Sequence, residues 1–162
     1  MQIFLLDKDP AKAAQALSDV HVIKMCLETA QILSTILKIK AIDRPFYLPK
    51  PYNTKHPVIT AVDTPAKLNW LVEYNLELQL EYHRRFNKLH AYFQIHHIYA
   101  NKLYTYGVAA DCSGMARVFT NFTTDKPDLI EAHRCYYRFK KTQIKRWKYT
   151  RSEEPKWISE NS

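Results

Sequence analysis

At 162 residues the chain has the length of one domain, and an apolar share of 46% suits a folded core rather than a disordered chain. Its 24 basic and 16 acidic residues leave a net charge of +8, which favours a polyanionic partner. The two glycines, Gly107 and Gly114, exclude a glycine-rich phosphate loop or dinucleotide fingerprint and argue against a many-turned β-barrel.

Met1–Leu6 is a short apolar lead-in, too brief for a secretion signal, and no run of 18 apolar residues follows. The expectation is a soluble, cytoplasmic monomer with no membrane partner. Asp9-Pro10 supplies a helix cap and a proline at the first helical position, so a brief helix is predicted over 11–17. A long helix follows over about 18–40, with Asp19 at its start as a capping acceptor. Read at about 100° per residue, Val22, Met25, Cys26, Ala30, Leu33 and Leu37 belong to its apolar side. His21, Lys24, Glu28, Gln31 and Thr35 share a polar stripe beside it. An imidazole, an amine and a carboxylate on one stripe are a candidate catalytic set. A solvated Lys24–Glu28 pair at i,i+4, contributing about 0.2–0.5 kcal/mol, is the plain alternative.

Residues 43–57 hold Pro45, Pro49, Pro51 and Pro57 among Arg44, Phe46, Tyr47, Lys50, Tyr52, Lys55 and His56. They read as a rigid surface loop whose aromatics either stack on nucleobases beside phosphates or pack against the domain. Thr64-Pro65 opens a second long helix to about Phe86, ending in the basic residues Arg84 and Arg85 with Lys88 beyond. A further helix is predicted over 91–106 and a loop over 107–126, and a last helix starts near Pro127-Asp128. That helix passes into the most basic stretch, where Lys145, Arg146 and Lys148 alternate with Trp147 and Tyr149, a pattern that favours contact with phosphates and bases. The fold expected is all-α: a single compact domain, 1–162, of four or five helices with long proline- and aromatic-containing loops and a basic aromatic segment over about 134–157. Cys26, Cys112 and Cys135 lack metal-ligand spacing, and no HxxxH or CxxC pair occurs, so neither a metal nor another cofactor is expected.

Leu17-Ser18-Asp19-Val20-His21-Val22-Ile23, with Glu28 seven residues after the histidine, resembles the start of the phage-type pyrimidine-dimer DNA glycosylases, the endonuclease V fold. His56-x-Val58, then Lys67-Leu68-x-Trp70-Leu71 leading to Glu77-Leu78, Glu81, Arg84 and Phe86, is similar to the family's long middle helix. The aromatic-basic segment from Trp147 to Trp157 is a third, weaker match. The resemblance implies a chain-terminal amine that attacks the sugar's anomeric carbon and expels the base. It further implies a glutamate that helps remove the neighbouring sugar proton, so that the strand breaks by β-elimination. Glu28 takes the glutamate's role and His21 that of a substrate contact.

Several positions depart from the family. Position 2 is Gln2, whose bulk disfavours removal of the initiator methionine, so the amine is expected to be that of Met1, with Lys24 as the rival. An α-amino group is intrinsically the less basic of the two, about 7.7–8.0 against about 10.4 for a lysine. Leu27 and Gln31 stand where the family has arginines, and 43–57 and 107–126 are candidate insertions. The resulting expectation is a metal-independent DNA glycosylase and abasic-site lyase on double-stranded DNA. Catalysis is assigned to Glu28, Met1, Lys24 and His21. DNA contact is assigned to Lys55, His56, Arg84, Arg85, Lys88, Lys145, Arg146, Trp147, Lys148 and Tyr149. The competing classes are a non-catalytic DNA-binding protein on the same scaffold and an enzyme acting on modified nucleotides.

Overall fold

Capping side chains set most of the helix starts in this computed structural model, which describes residues 1–159. The Asp9 carboxylate accepts from the Ala11 N–H to begin α1, Pro10–Gln15. Helix α2, Asp19–Ile39, begins at Ser18, which makes no side-chain cap bond. The His56 ring nitrogen Nδ1 caps the single turn α3, Pro57–Thr60, and Thr64 Oγ1 caps α4, Pro65–Phe86, at Lys67 N. Asn87, in the left-handed region at φ 52°, ends α4. Helix α5, His96–Leu103, follows a 3-10 turn at Phe93–Ile95, and the Asp128 carboxylate caps α6, Leu129–Gln143.

Six helices and no strand are present among the described residues, so the domain is all-α. One helix more than expected arises because α3 begins at Pro57, the last residue of the stretch read as loop, and occupies residues to which no helix was assigned. The helix predicted over 91–106 is shorter at both ends, and more so at its start. There the His90 ring accepts from the Tyr92 N–H, a local bond that competes with helical pairing.

Helices α2 and α4 run antiparallel through the centre. Asn75 donates to Thr29 Oγ1 at 2.8 Å midway, and Arg85 meets Asp19 at the end where α2 begins. Helix α2 is long and apolar enough to match a membrane span by composition, yet 67% of that stretch is buried inside the domain. Between α2, α4 and α6 runs the extended N-terminal segment, with Ile3, Phe4, Leu5 and Leu6 all buried. Each such side chain contributes about 1.5–3 kcal/mol of burial, enough to offset about 1–2 kcal/mol per residue of backbone ordering. Its backbone has no ladder partner, so side chains replace one. Leu5 N–H donates to His133 Nδ1, Tyr74 Oη donates to the Phe4 carbonyl, and Arg134 Nε donates to the Leu6 carbonyl at 2.9 Å.

Two expectations need correction here. Asp19 does not cap α2; it lies one residue inside the helix and accepts from Thr150 N–H (2.9 Å), Thr150 Oγ1 (2.7 Å) and Arg85 (3.0 Å). Burial pushes the Asp19 carboxyl upward, but the hydrogen bonds from Thr150 and Arg85 outweigh it and hold it below its ordinary value. Arg85 is not a DNA contact. Its side chain is 0% exposed and is used by Glu81 (2.6 Å), Asp19 and the Gln15 carbonyl (3.0 Å).

Replacing Arg85 with leucine leaves two buried carboxylates short of their cation and should cost about 3–5 kcal/mol in urea-induced unfolding. A cost under about 1 kcal/mol would contradict the role assigned to this pair.

The protein should also lose stability as pH falls. Burial pushes His21 down to about 3 and His133 down to about 4, both below the ordinary 6.5, so both stay neutral when folded and protonate when unfolded. Their contribution is full above about pH 6.5 and declines through that value toward the folded pKa values. The decline is up to about 1.4 kcal/mol per pH unit for each histidine. Thermal melting between pH 7 and 4 measures this; a melting temperature unchanged over that range would contradict it.

Candidate active site

The buried N-terminal segment ends against the middle of α2. Gln2 N–H donates to Glu28 Oε2 at 2.9 Å, and Lys24 Nζ lies 3.5 Å from Glu28 Oε1. Glu28 has a side chain only 13% exposed, whereas that of Lys24 is 56% exposed. The carboxylate is therefore held by Gln2 on one side and Lys24 on the other, and Met1 is one residue beyond Gln2. Lys24 lacks the desolvated surroundings that activate a lysine nucleophile.

His56, expected as a DNA contact, belongs to this group. Burial, and then the N-terminal ammonium, lower the pKa of its ring from the ordinary 6.5, while the Glu28 carboxylate works in the opposite direction. Because Nδ1 accepts from Val58 N–H, the neutral ring carries its proton on Nε2 as a donor. Ile23 and Leu27 are exposed on α2 beside Lys24 and Glu28, giving the site an apolar rim.

His21 does not join them. It is buried, its Nδ1 is engaged by Tyr137 Oη (2.9 Å) and Ser18 Oγ (3.1 Å), and its ring packs on Phe4 and Trp147. It stands on the polar stripe by angle, but the C-terminal segment covers it, so its place is in the core rather than against substrate.

That segment divides its residues by alternation. Lys145, Arg146 and Lys148 are exposed. Trp147 and Tyr149, expected as base-stacking rings, instead anchor it. Trp147 Nε1 donates to Glu154 (2.7 Å) with its ring against Tyr137, and Tyr149 Oη donates to the Ala16 carbonyl (2.9 Å). The Lys148 carbonyl accepts from Asp19 N–H at 2.8 Å, which pins the basic stretch to the start of α2. Lys88 is exposed at the same end, beyond α4, while Arg84, although exposed, is chelated by Glu81 and bonded to the Arg151 carbonyl. Lys55 is exposed beside His56.

A concavity of about 740 Å³ lies at the other end of the N-terminal segment, around Leu6, Arg84, Arg134 and Arg151. Two of its arginines are already engaged, Arg84 by Glu81 and Arg134 by the Leu6 carbonyl and Asp7. Among the described residues no three histidine, cysteine or carboxylate groups converge as metal ligands.

The sequence pattern points to Glu28 and Lys24. It misses the Gln2 amide, since only the path of the lead-in brings that group to the helix. The position of His56 is signalled only by its proximity to Pro57 as a cap. Residues 1–107 match the family described as pyrimidine dimer DNA glycosylase. No curated protein and no solved structure matches the chain.

Replacing Lys145, Arg146 and Lys148 together should weaken binding to duplexes of any sequence. The log–log salt slope should flatten by about 0.9 for each phosphate that is no longer neutralised. An unchanged slope in a binding titration would make the segment a solvated surface only.

Proposed function

The chain belongs to the pyrimidine dimer DNA glycosylase family, and on that premise we propose a glycosylase with abasic-site lyase activity. Its nucleophile is the Met1 α-amine and its proton carrier is Glu28. One observation carries this reading: the hydrogen bond from Gln2 N–H to Glu28, which tethers the N-terminal segment to a largely shielded carboxylate.

The chemistry needs both groups. The amine nitrogen forms a bond to C1′ of the damaged nucleotide as the glycosidic C1′–N bond breaks and the base departs with a proton. Opening of the sugar ring leaves an iminium, which acidifies C2′. Glu28 takes the C2′ proton, and the C3′–O bond breaks to release the 3′ phosphate. A primary amine is required because it can form the imine, and a carboxylate stabilises the positive charge before accepting the proton. Lys24 shares the carboxylate and is suited to a backbone phosphate. His56 offers an N–H to the same space.

Double-stranded DNA lies along the exposed side of α2 in this reading. Lys145, Arg146, Lys148 and Lys88 stand at one end, Glu28 in the middle, and Lys50 and Lys55 toward the other. A pyrimidine dimer is the default substrate and a modified base the close variant. Leu27 and Gln31 remove two charges from α2, so specificity rests more on the apolar rim. A second reading puts the amine at Gln2 after loss of Met1. The Gln2 nitrogen's bond to Glu28 favours it, the bulk of Gln2 opposes it, and the mass of the purified protein decides.

Glu28→Gln keeps shape and removes charge, and should slow strand cleavage at least about 100-fold while leaving affinity for the same duplex nearly unchanged. Wild-type protein should form a borohydride-stabilised adduct with abasic DNA. Cleavage by Glu28→Gln within a few-fold of wild type would remove Glu28 from the mechanism. A wild type that binds DNA but forms no adduct and releases no base would make the chain a non-catalytic binder.

A further inference from the structure

Most rings in this protein are internal, but the tip of the loop between α2 and α3 turns two of them outward. Phe46 is 92% exposed and Tyr47 55%, and their ring centroids stand 5.6 Å apart, edge to face. Exposed rings on a slack loop would fold onto the nearest apolar surface. Here the loop is held too firmly for that. Leu48 is buried beneath it and Ser34 Oγ donates to the Pro49 carbonyl at 2.5 Å. Arg44 donates to the Leu48 carbonyl at 3.1 Å, and Tyr52 N–H donates to Thr35 Oγ1 at 2.9 Å. Pro45, Pro49 and Pro51 restrict the backbone at three further positions.

The loop also stands in line with the candidate site. Gln31, which donates to the Lys50 carbonyl, and Thr35, which accepts from Tyr52, lie three and seven residues beyond Glu28. That spacing puts them on the Glu28 face of α2, about 5–10 Å further along. Lys38, Lys40, Lys50 and Lys55 are exposed around the loop. Rigid aromatic rings flanked by cations, beside the candidate site, have the chemistry of a base-stacking platform with phosphate contacts on either side.

We propose that Phe46 and Tyr47 form a stacking element that packs against a nucleobase left without a neighbour when the duplex opens at the lesion. The proposal rests on the glycosylase reading above. The partner is DNA that has lost stacking, rather than intact duplex, because paired bases offer no free face to these rings.

The probe is a duplex carrying a tetrahydrofuran abasic analogue, which cannot form an imine, compared with the intact duplex of the same length. The double variant Phe46→Ala/Tyr47→Ala should lose about 5- to 150-fold in affinity for the gapped duplex, the range for one stacked base. Its affinity for intact duplex and its salt slope should be unchanged. Phe46→Trp should retain gapped-duplex affinity, with the added indole fluorescence quenched on binding. Equal loss on both duplexes, or no loss on either, would overturn the proposal. So would a wild-type dimer in sedimentation that the double variant dissolves, since the rings would then belong to a copy–copy contact. Borohydride trapping on single-stranded abasic DNA, where no opening is needed, separates the two levels. An adduct with wild type and with the double variant keeps the glycosylase reading whatever the duplexes show, and no adduct with wild type removes that reading.

Discussion

An extended peptide cannot be buried unless something satisfies its backbone, and that constraint shapes this molecule. Residues 2–6 run through the core with neither a helix nor a sheet to pair them, and side chains from three helices take the place of a strand. Glu28 from α2, Tyr74 from α4, and His133 and Arg134 from α6 each take up one backbone group of the segment. His133 can do this only as the neutral ring, accepting from Leu5 N–H while donating from Nε2 to the Ala116 carbonyl at 3.2 Å. The apolar side chains supply the driving force and the polar ones fix the register. Because the register is fixed, the Gln2 N–H is delivered to Glu28. The contacts that stabilise the fold are thus the ones that assemble the candidate site.

A second tie, at the start of α2, acts on the surface in the same way. Arg85 joins Glu81 of its own helix to Asp19 of α2, and Asp19 in turn holds Thr150. Two carboxylates around one buried guanidinium leave the arrangement short of positive charge, and Arg84 supplies it from the solvent side. The C-terminal strap is thereby laid across α2 with its aromatic residues inward and its lysines outward. Basic charge that would otherwise belong to a loose tail is presented in a fixed place relative to Glu28.

How far the sequence could be read follows from the range of each interaction. Caps and prolines act within a few residues, so the starts of α1, α4 and α6 were legible, as was the stripe bearing Lys24 and Glu28. Arg84 and Arg85 are adjacent and look alike on paper; a 100° turn puts one outside and one inside, and the deciding partner, Asp19, is 66 residues away. His21 shares the stripe of Glu28, yet a segment more than a hundred residues later covers it. Trp147 and Tyr149 have the composition of a stacking surface, while Phe46 and Tyr47, in a loop that could equally have packed inward, are among the rings left open. No local periodicity distinguishes these cases, because exposure there depends on what the rest of the chain covers.

The proposed chemistry turns on one nitrogen. Borohydride reduction of the wild-type protein on an abasic duplex, followed by digestion and mass mapping of the modified peptide, locates it directly. The expected result is an adduct on the N-terminal peptide, at the α-nitrogen, with the peptide containing Lys24 unmodified. An adduct on Lys24, with the N-terminal peptide recovered free, would contradict the claim that burial of the lead-in exists to bring an amine to Glu28.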